Sequence, residues 1–310
     1  MSRLFNIGSA CTDFVYSVPS LVRAGETLDS SNRQVFPGGK GLNQSIAATK
    51  AGCEVIHIGA VGPDGDMLVE CLEAHGVQTK DIHRSEVASG HAFIQVDPTG
   101  QNAIVIHGGA NRHLPRDIWE PALSRMIQGD WLLLQNETNA VDEILCAASE
   151  AGINIAINLA PADVSVRTLP LELATLLIVN EAEAQMLSGC TDIEEAFAQL
   201  RARYPDTAVV LTLGEQGLQF QDVHTHHYGQ LSAYNVQAVD ETAAGDAFVG
   251  YFLAQLVAGE GLEAALEFAS AAGALAVTRE GAAPSIPERG EVTALIREQG
   301  PLKLVAGDGA

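Results

Sequence analysis

An α/β fold, with a mainly parallel central sheet and a small projecting β-sheet, is what this chain of 310 residues predicts. Three observations carry the prediction. Short apolar runs alternate with longer amphipathic ones, the rhythm of repeated β-α units. Glycine follows the last apolar-periodic residue of several helical stretches, where a left-handed residue commonly ends a helix. Two stretches, 14–36 and 90–107, break the rhythm with period-two alternation and turn residues but no helical period.

Taken in order, the start Met1-Ser2-Arg3-Leu4-Phe5-Asn6-Ile7-Gly8 is strand-like, and buried strands are expected at 4–8, 55–61, 131–135, 153–158, 176–179 and 208–213. Helical patterns run over 42–51, 67–75 and 141–151, closed by Gly52, Gly76 and Gly152, and over 193–204. The last third is helical at 247–258, 262–278 and 288–299, after which Gly300-Pro301 leads into a loose tail. Alternating Ala92, Ile94 and Val96, then Ala103 and Val105, flank the turn Asp97-Pro98-Thr99-Gly100 and read as a hairpin. The division expected is an α/β core of 1–12, 37–89 and 108–310, with the small sheet from 13–36 and 90–107. That sheet suits either a lid over a ligand cleft or a dimerisation surface.

Composition narrows the function. At 47% hydrophobic and 18% charged the chain has the make-up of a soluble globular protein with a sizeable core. A net charge of -22 argues against nucleic acid or an anionic membrane as partner. A small anionic ligand stays open, because N–H groups, lysine or Mg²⁺ reverse the field inside one cleft. Five scattered cysteines (Cys11, Cys53, Cys71, Cys146, Cys190) form no C-x-x-C pair and read as reduced thiols. With no signal-like stretch and no run near the ~20 residues of a membrane span, the expected location is cytoplasmic. His224, His226 and His227 alternate like an exposed strand end and lack a second ligand cluster.

The chemistry concentrates in Asp240-Glu241-Thr242-Ala243-Ala244-Gly245-Asp246. Small residues at a loop-to-helix junction let backbone N–H groups approach a phosphate, which the helix N-terminus favours. A carboxylate placed there is either a helix cap or a general base beside a transferring phosphoryl group. A second turn, Gly38-Gly39-Lys40-Gly41-Leu42-Asn43, lacks P-loop spacing and has Leu42 where Ser or Thr would stand. Asn180 and Glu183 follow a strand and share a helix face, suiting either a capping arrangement or water-mediated Mg²⁺. Thr212 with Gly214, Glu137 and Asp13 lie at further strand ends, where α/β sheets bind ligands. The run from Ala276 through Arg279 and Gly281 to Ser285 ends a helix, either as a plain stop or as carbonyls fit for a monovalent cation.

Together these clusters resemble the ribokinase family of carbohydrate kinases over essentially the whole chain. Ile106-His107-Gly108-Gly109-Ala110-Asn111, Asn180-Glu181-Ala182-Glu183 and Ala276-Val277-Thr278-Arg279-Glu280-Gly281 extend the likeness. The resemblance implies a three-layer αβα sandwich of nine or ten strands with a β-sheet lid that joins two copies into a homodimer. It implies an ATP-dependent sugar kinase using Mg²⁺ and a monovalent cation, K⁺. Asp246 would be the base, and the amides of Ala243, Ala244 and Gly245 the anion hole. Asp13, Gly39, Lys40, Asn43 and Glu137 would hold the sugar, and Asn180, Thr212, Gly214 and Gly245 the nucleotide. Glu183 would hold Mg²⁺ through water, and Asp240, Thr242, Ala276, Arg279, Gly281 and Ser285 the monovalent cation.

The acceptor implied is the 5-hydroxyl of D-ribose. Two departures stand out. Cys11 occupies a position where the family usually has Asn, and losing that partner leaves a sugar hydroxyl unpaired at a cost of ~1–3 kcal/mol. That substitution raises deoxyribose, another sugar or a nucleoside as the alternative acceptor. Val249 replaces a frequent Asn and is expected to alter the nucleotide side. A sensor that binds without catalysis is disfavoured by the intact Asp246 loop. A dehydrogenase is disfavoured because Gly8-Ser9-Ala10-Cys11 is not a dinucleotide fingerprint.

Overall fold

The computed structural model describes residues 2–225 and 227–307. In chain order it opens with β1 (Leu4–Ile7), β2 (Cys11–Ser17), β3 (Asn32–Gly38), α1 (Lys40–Lys50), β4 (Val55–Val61), α2 (Asp66–Ala74), β5 (Gln78–Arg84), β6 (Gly90–Val96) and β7 (Asn102–His107). It continues with α3 (Arg116–Ser124), β8 (Trp131–Gln135), α4 (Val141–Glu150), β9 (Asn154–Asn158), β10 (Leu176–Asn180), α5 (Glu181–Ser188), α6 (Ile193–Arg203) and β11 (Ala208–Thr212). The last elements are β12 (Leu218–Asp222), β13 (His227–Leu231), α7 (Ala244–Val257), α8 (Leu262–Ala276), α9 (Arg289–Gln299) and β14 (Leu304–Ala306).

The main sheet has ten strands among the described residues, in the order β14-β13-β12-β11-β10-β9-β8-β1-β4-β5. From β5 to β11 neighbours are parallel, and β12 to β14 add an antiparallel edge. The chain first builds outward from β1 to β4 and β5, then returns to the other side of β1 with β8. That reversal is a topological switch point, where ligands of such sheets bind. Ile7 registers with Leu134, so Gly8-Ser9 and Gln135 to Glu137 leave the sheet side by side.

Strand residues alternate between two cores, as a sheet covered on both faces requires. Leu4, Val55, Leu133, Ile178 and Val210 join α1, α2, α7, α8 and α9 on one face. Phe5, Ile56, Leu134, Leu177 and Val209 join α3, α4, α5 and α6 on the other. Val249 is 2% exposed and packs in the first core.

A separate four-stranded sheet has the order β3-β2-β6-β7. Its strands reach Cys11 and Gly38, slightly beyond the expected arm of 13–36, and the expected 90–107 hairpin forms β6 and β7. Phe14 stacks on Phe93 at 5.4 Å, and the Arg33 guanidinium lies over Phe14. Val105, Ile106 and Ile104 are 69%, 56% and 50% exposed, an apolar edge open to solvent.

The expected tail is corrected in part: Leu304–Ala306 pairs antiparallel with β13, while residues 308–310 lie outside the described residues. Three residues carry too little pattern to read as a strand. Strand β5, Gln-Thr-Lys-Asp-Ile-His-Arg, was equally illegible because a sheet edge is kept charged. Helix α3 holds Pro121 inside a nine-residue helix, which reads as a breaker in sequence. Of the histidine trio, His224 sits in a turn bonded to Asp222, His227 opens β13, and His226 lies outside the described residues. No helix among the described residues is long and apolar enough to cross a membrane.

His57 on β4 is fully buried, with Nδ1 2.9 Å from the Ser45 hydroxyl, which accepts a hydrogen bond from Asn6. Burial pushes its pKa down from 6.5 to about 4. The folded pKa lies below the unfolded one, so this contribution to stability is complete above pH 6.5 and is lost as pH falls toward 4. About 3 kcal/mol is involved over that window. Urea unfolding at pH 7 and pH 5 should show a smaller loss of stability in His57→Gln than in wild type; equal losses would remove His57 as the source.

Candidate active site

Helix α7 is apolar nearly all round and buried along most of its length, yet its first turn carries a carboxylate. Asp246 is 7% exposed. Its Oδ2 accepts a 2.9 Å hydrogen bond from Asn43 Nδ2, and its Oδ1 accepts one of 2.9 Å from Gln44 Nε2. Both donors come from α1, which can lie this close because residue 250 is glycine. A Cβ there would stand 2.4 Å from Ala47 Cβ and 2.6 Å from the Gln44 carbonyl. Sequence reasoning singled out Asn43 and Asp246 and missed Gln44, whose only signal was its place beside Asn43.

The loop before α7 turns through Ala243, left-handed at φ 60°. For an L-residue this conformation costs ~1–2 kcal/mol. Of the expected anion-hole amides, that of Ala244 makes a long 3.3 Å bond to the Glu241 carbonyl. A Cβ at Gly245 would meet nothing within 4 Å, so the space over the helix start is open. Free N–H groups and the helix dipole make such an opening attractive to an anion.

Four further charged groups surround this point. Burial raises the pKa of Asp246, against the field of Lys40 and the hydrogen bonds from Asn43 and Gln44. Burial acts to lower that of Lys40, but Asp246, Glu137 and Glu183 outweigh it, and the ammonium is held charged. Asp13 on β2 is pushed up to about 7 by burial and then by the fields of Glu137 and Asp246. Gly38 lies so close to it that a Cβ would be 2.1 Å from Asp13 Oδ2. Gly39 has φ 96° and a Cβ there would be 2.9 Å from the Cys11 amide nitrogen. Glu137 accepts a very short hydrogen bond from the Ser9 hydroxyl and another of 3.3 Å from the Lys40 amide. Ser9 was not foreseen, since a lone serine after a strand carries no pattern. Cys11 is buried and its Sγ accepts a 3.3 Å contact from Asn111 Nδ2; burial, then Glu137 and Asp13, drives its thiol well above the usual range.

At the neighbouring strand ends, Asn180 of β10 registers with Thr212 of β11. Asn180 and Glu183 form a reciprocal capping box: Asn180 Oδ1 accepts from the Glu183 amide and Glu183 Oε2 from the Asn180 amide, both at 2.9 Å. Burial raises the pKa of Glu183, opposed by those hydrogen bonds and by Lys40. The Thr212 hydroxyl donates to the Val179 carbonyl at 3.4 Å, and Gly214 (φ 56°) borders open space.

Two loops meet below the start of α7. Asp240 Oδ1 accepts from the Thr242 amide (2.9 Å) and hydroxyl (2.6 Å), and Oδ2 from the Gly281 amide (2.8 Å). Burial would raise the pKa of Asp240, but these hydrogen bonds outweigh it and lower it. The Ala276 carbonyl accepts from the Arg279 amide, Arg279 pairs with Glu291 at 2.6 Å, and the buried Ser285 hydroxyl donates to the Ala282 carbonyl. Asp240 therefore braces its own loop through Oδ1 and ties it to the second loop through Oδ2.

A ten-stranded α/β core bearing a small sheet, with a buried carboxylate at a helix N-terminus, is the architecture of a ribokinase-like sugar phosphotransferase. The chain belongs to the pfkB family of carbohydrate kinases, whose family description matches residues 1–289. It is 36% identical over 297 residues to ribokinase of Haemophilus influenzae, covering 92% of this chain and 95% of that one. The structure of Arabidopsis thaliana ribokinase complexed with ribose and ATP superposes with a TM-score of 0.84 at 28% identity, covering 96% of this chain and 99% of that one. Deoxyribokinase of Salmonella typhi is 31% identical over 300 residues, covering 91% and 94%.

Asp13 gives a prediction independent of any substrate. Its folded pKa lies above its unfolded one, so the neutral form is stable and ionisation costs stability as pH rises from 3.8 through about 7. Asp13→Asn should melt higher than wild type at pH 8, with the advantage shrinking toward pH 4. A constant difference across that range would contradict the burial argument.

Proposed function

We propose that the chain is an ATP-dependent ribokinase, converting D-ribose and ATP to D-ribose 5-phosphate and ADP. The observation that carries this is the Asp246 carboxylate, buried beneath an open helix N-terminus and held on both oxygens by neutral amides. Family membership and the ribokinases it resembles support the acceptor class.

In this reading Asp246 takes the proton from the 5-hydroxyl as the γ-phosphoryl group is transferred. Burial keeps its pKa above that of an ordinary carboxylate, which strengthens it as a base. The amides of Ala243, Ala244 and Gly245 receive the phosphoryl charge, an effect that grows in a water-poor cleft. Asp13, Gly39, Lys40, Asn43 and Glu137 hold the sugar, and Lys40, kept charged by three carboxylates, faces the transferred group. Asn180, Thr212 and Gly214 line the nucleotide side. Glu183 keeps one oxygen outside its capping box, which fits Mg²⁺ held through water; the ion when bound would neutralise phosphate charge. The carbonyls around Asp240, Thr242, Ala276, Arg279, Gly281 and Ser285 fit K⁺. The small sheet closes the sugar side as a lid, and its apolar edge at Ile104 to Ile106 joins two copies in the cytoplasm.

A second acceptor is favoured by one observation. Cys11 sits among Asp13, Glu137 and Asn111, and a thiol replaces a stronger hydrogen-bonding group there. Deoxyribose is the acceptor that matches a missing hydroxyl partner, and a deoxyribokinase is among the relatives.

ATP turnover measured over pentoses, hexoses and nucleosides, with K⁺ and then Na⁺, tests acceptor and cation together. Ribose should give the highest kcat/KM, and K⁺ should raise it; a better acceptor elsewhere would displace ribose. Asp246→Asn should lower kcat ~10²–10⁴-fold while ATP binding persists. Cys11→Asn should improve kcat/KM for ribose relative to deoxyribose, and an unchanged ratio would remove Cys11 from specificity.

A further inference from the structure

We infer that Gln44 is a positioning residue for Asp246, and that a buried chain of neutral amides fixes which end of its side chain faces the carboxylate. This rests on the reading of Asp246 as the base. The chain begins at a backbone carbonyl, a group that can only accept. Asn6 Nδ2 donates to the Gly41 carbonyl at 2.8 Å and to the Ser45 hydroxyl at 2.8 Å, so Asn6 Oδ1 points the other way. That oxygen accepts from Gln135 Nε2 at 2.9 Å, and the second Gln135 proton goes to Gln44 Oε1 at 2.8 Å. With Oε1 engaged, Gln44 Nε2 is left to donate to Asp246 Oδ1 and to Asn158 Oδ1, both at 2.9 Å. A second carbonyl anchors the far end, where Asn158 Nδ2 donates to the Ile178 carbonyl at 3.4 Å.

Reversing any one amide would set two acceptors against each other in the buried interior. Asn6, Gln44 and Gln135 are fully buried and Asn158 is 9% exposed. Unpaired polar groups in such surroundings are costly, so the polarity of the whole chain is enforced from both ends. The chain spans β1, α1, β8 and β9, and it delivers one N–H to one oxygen of the base. Asn43 holds the other oxygen, so the carboxylate is prevented from rotating about its Cβ–Cγ bond.

The charged groups around Asp246 are Lys40 on α1 and Asp13 on β2, with Glu137 after β8 and Glu183 on α5 acting on Lys40. None of them is altered by replacing Gln44, so the effect of the amide is separable from theirs. A hydrogen bond to the ionised form favours it, and its loss should make Asp246 harder to deprotonate.

The test is kcat against pH at saturating sugar and ATP for wild type, Gln44→Met, Gln135→Met, the double variant and Asp246→Asn. Gln44→Met should lower kcat on the order of 10–100-fold, with KM for the sugar little changed and the acid limb moved to higher pH. Gln135→Met should shift the limb in the same direction by less, because it frees Gln44 without deleting it. The double variant should match Gln44→Met alone, since both act through one contact. An acid limb that stays put in Gln44→Met, or two effects that add, would overturn the inference. Should Gln44→Met fail to fold, the limb of Gln135→Met decides the matter in the same way. Near-normal turnover in Asp246→Asn is a different outcome and would overturn the reading of the base itself.

Discussion

The close crossing of α1 on α7 is the contact on which the site depends. At Gly250 the two backbones approach to a distance that forbids even a methyl group, with Ala47 and the Gln44 carbonyl filling the space. Interiors packed to this density transmit small changes in volume directly into displacement. The contact fixes the position of Asn43 and Gln44 relative to Asp246, two amides from one end of the chain and a carboxylate from the other. A helix that is apolar nearly all round could not by itself aim a carboxylate. The aim comes from the neighbour it is pressed against.

Around that contact the fold concentrates charge where burial makes charge expensive. Asp13, Asp246, Glu137, Glu183 and Lys40 act on one another, and three carboxylates share one ammonium. Gathering like charges in a buried place is costly, and burial together with the fields of Glu137 and Asp246 raises the pKa of Asp13. Much of the remaining demand is met by neutral groups: Ser9 on Glu137, the capping box on Glu183, and two amides on Asp246. Neutral donors orient a carboxylate without cancelling the charge that its chemistry uses. The same logic holds at Asp240, where three donors lower its pKa and one of them, the Gly281 amide, joins the second loop to the first.

Where an element is buried on a patterned face, the sequence displayed it. The strands at Val55–Val61 and Trp131–Gln135 are continuous apolar runs, and helices α1, α2 and α4 stop at glycine, so their bounds could be read within a residue or two. Strand β5 and strand β14 could not, being an exposed charged edge and a three-residue addition to an edge. Val249, one helical turn beyond Asp246, has its side chain turned into the core. Motif position says which loop a residue belongs to, while its side-chain direction belongs to the helix and what the helix rests on.

By itself the sequence determined the α/β class, the small second sheet and the loop-to-helix junctions that could take phosphate, because these depend on local periodicity and on small residues at turns. It also supplied the two signatures on which family membership is read. Only the tertiary structure decided that Asn43 and Gln44 share Asp246, that Ser9 meets Glu137, and that Asn180, capped reciprocally with Glu183, registers with Thr212. Partners such as Gln44 and Asp246, about two hundred positions apart, carry no mutual period or spacing. Their pairing follows from sheet order and from one glycine-sized gap between two helices, neither of which any short stretch of the chain contains.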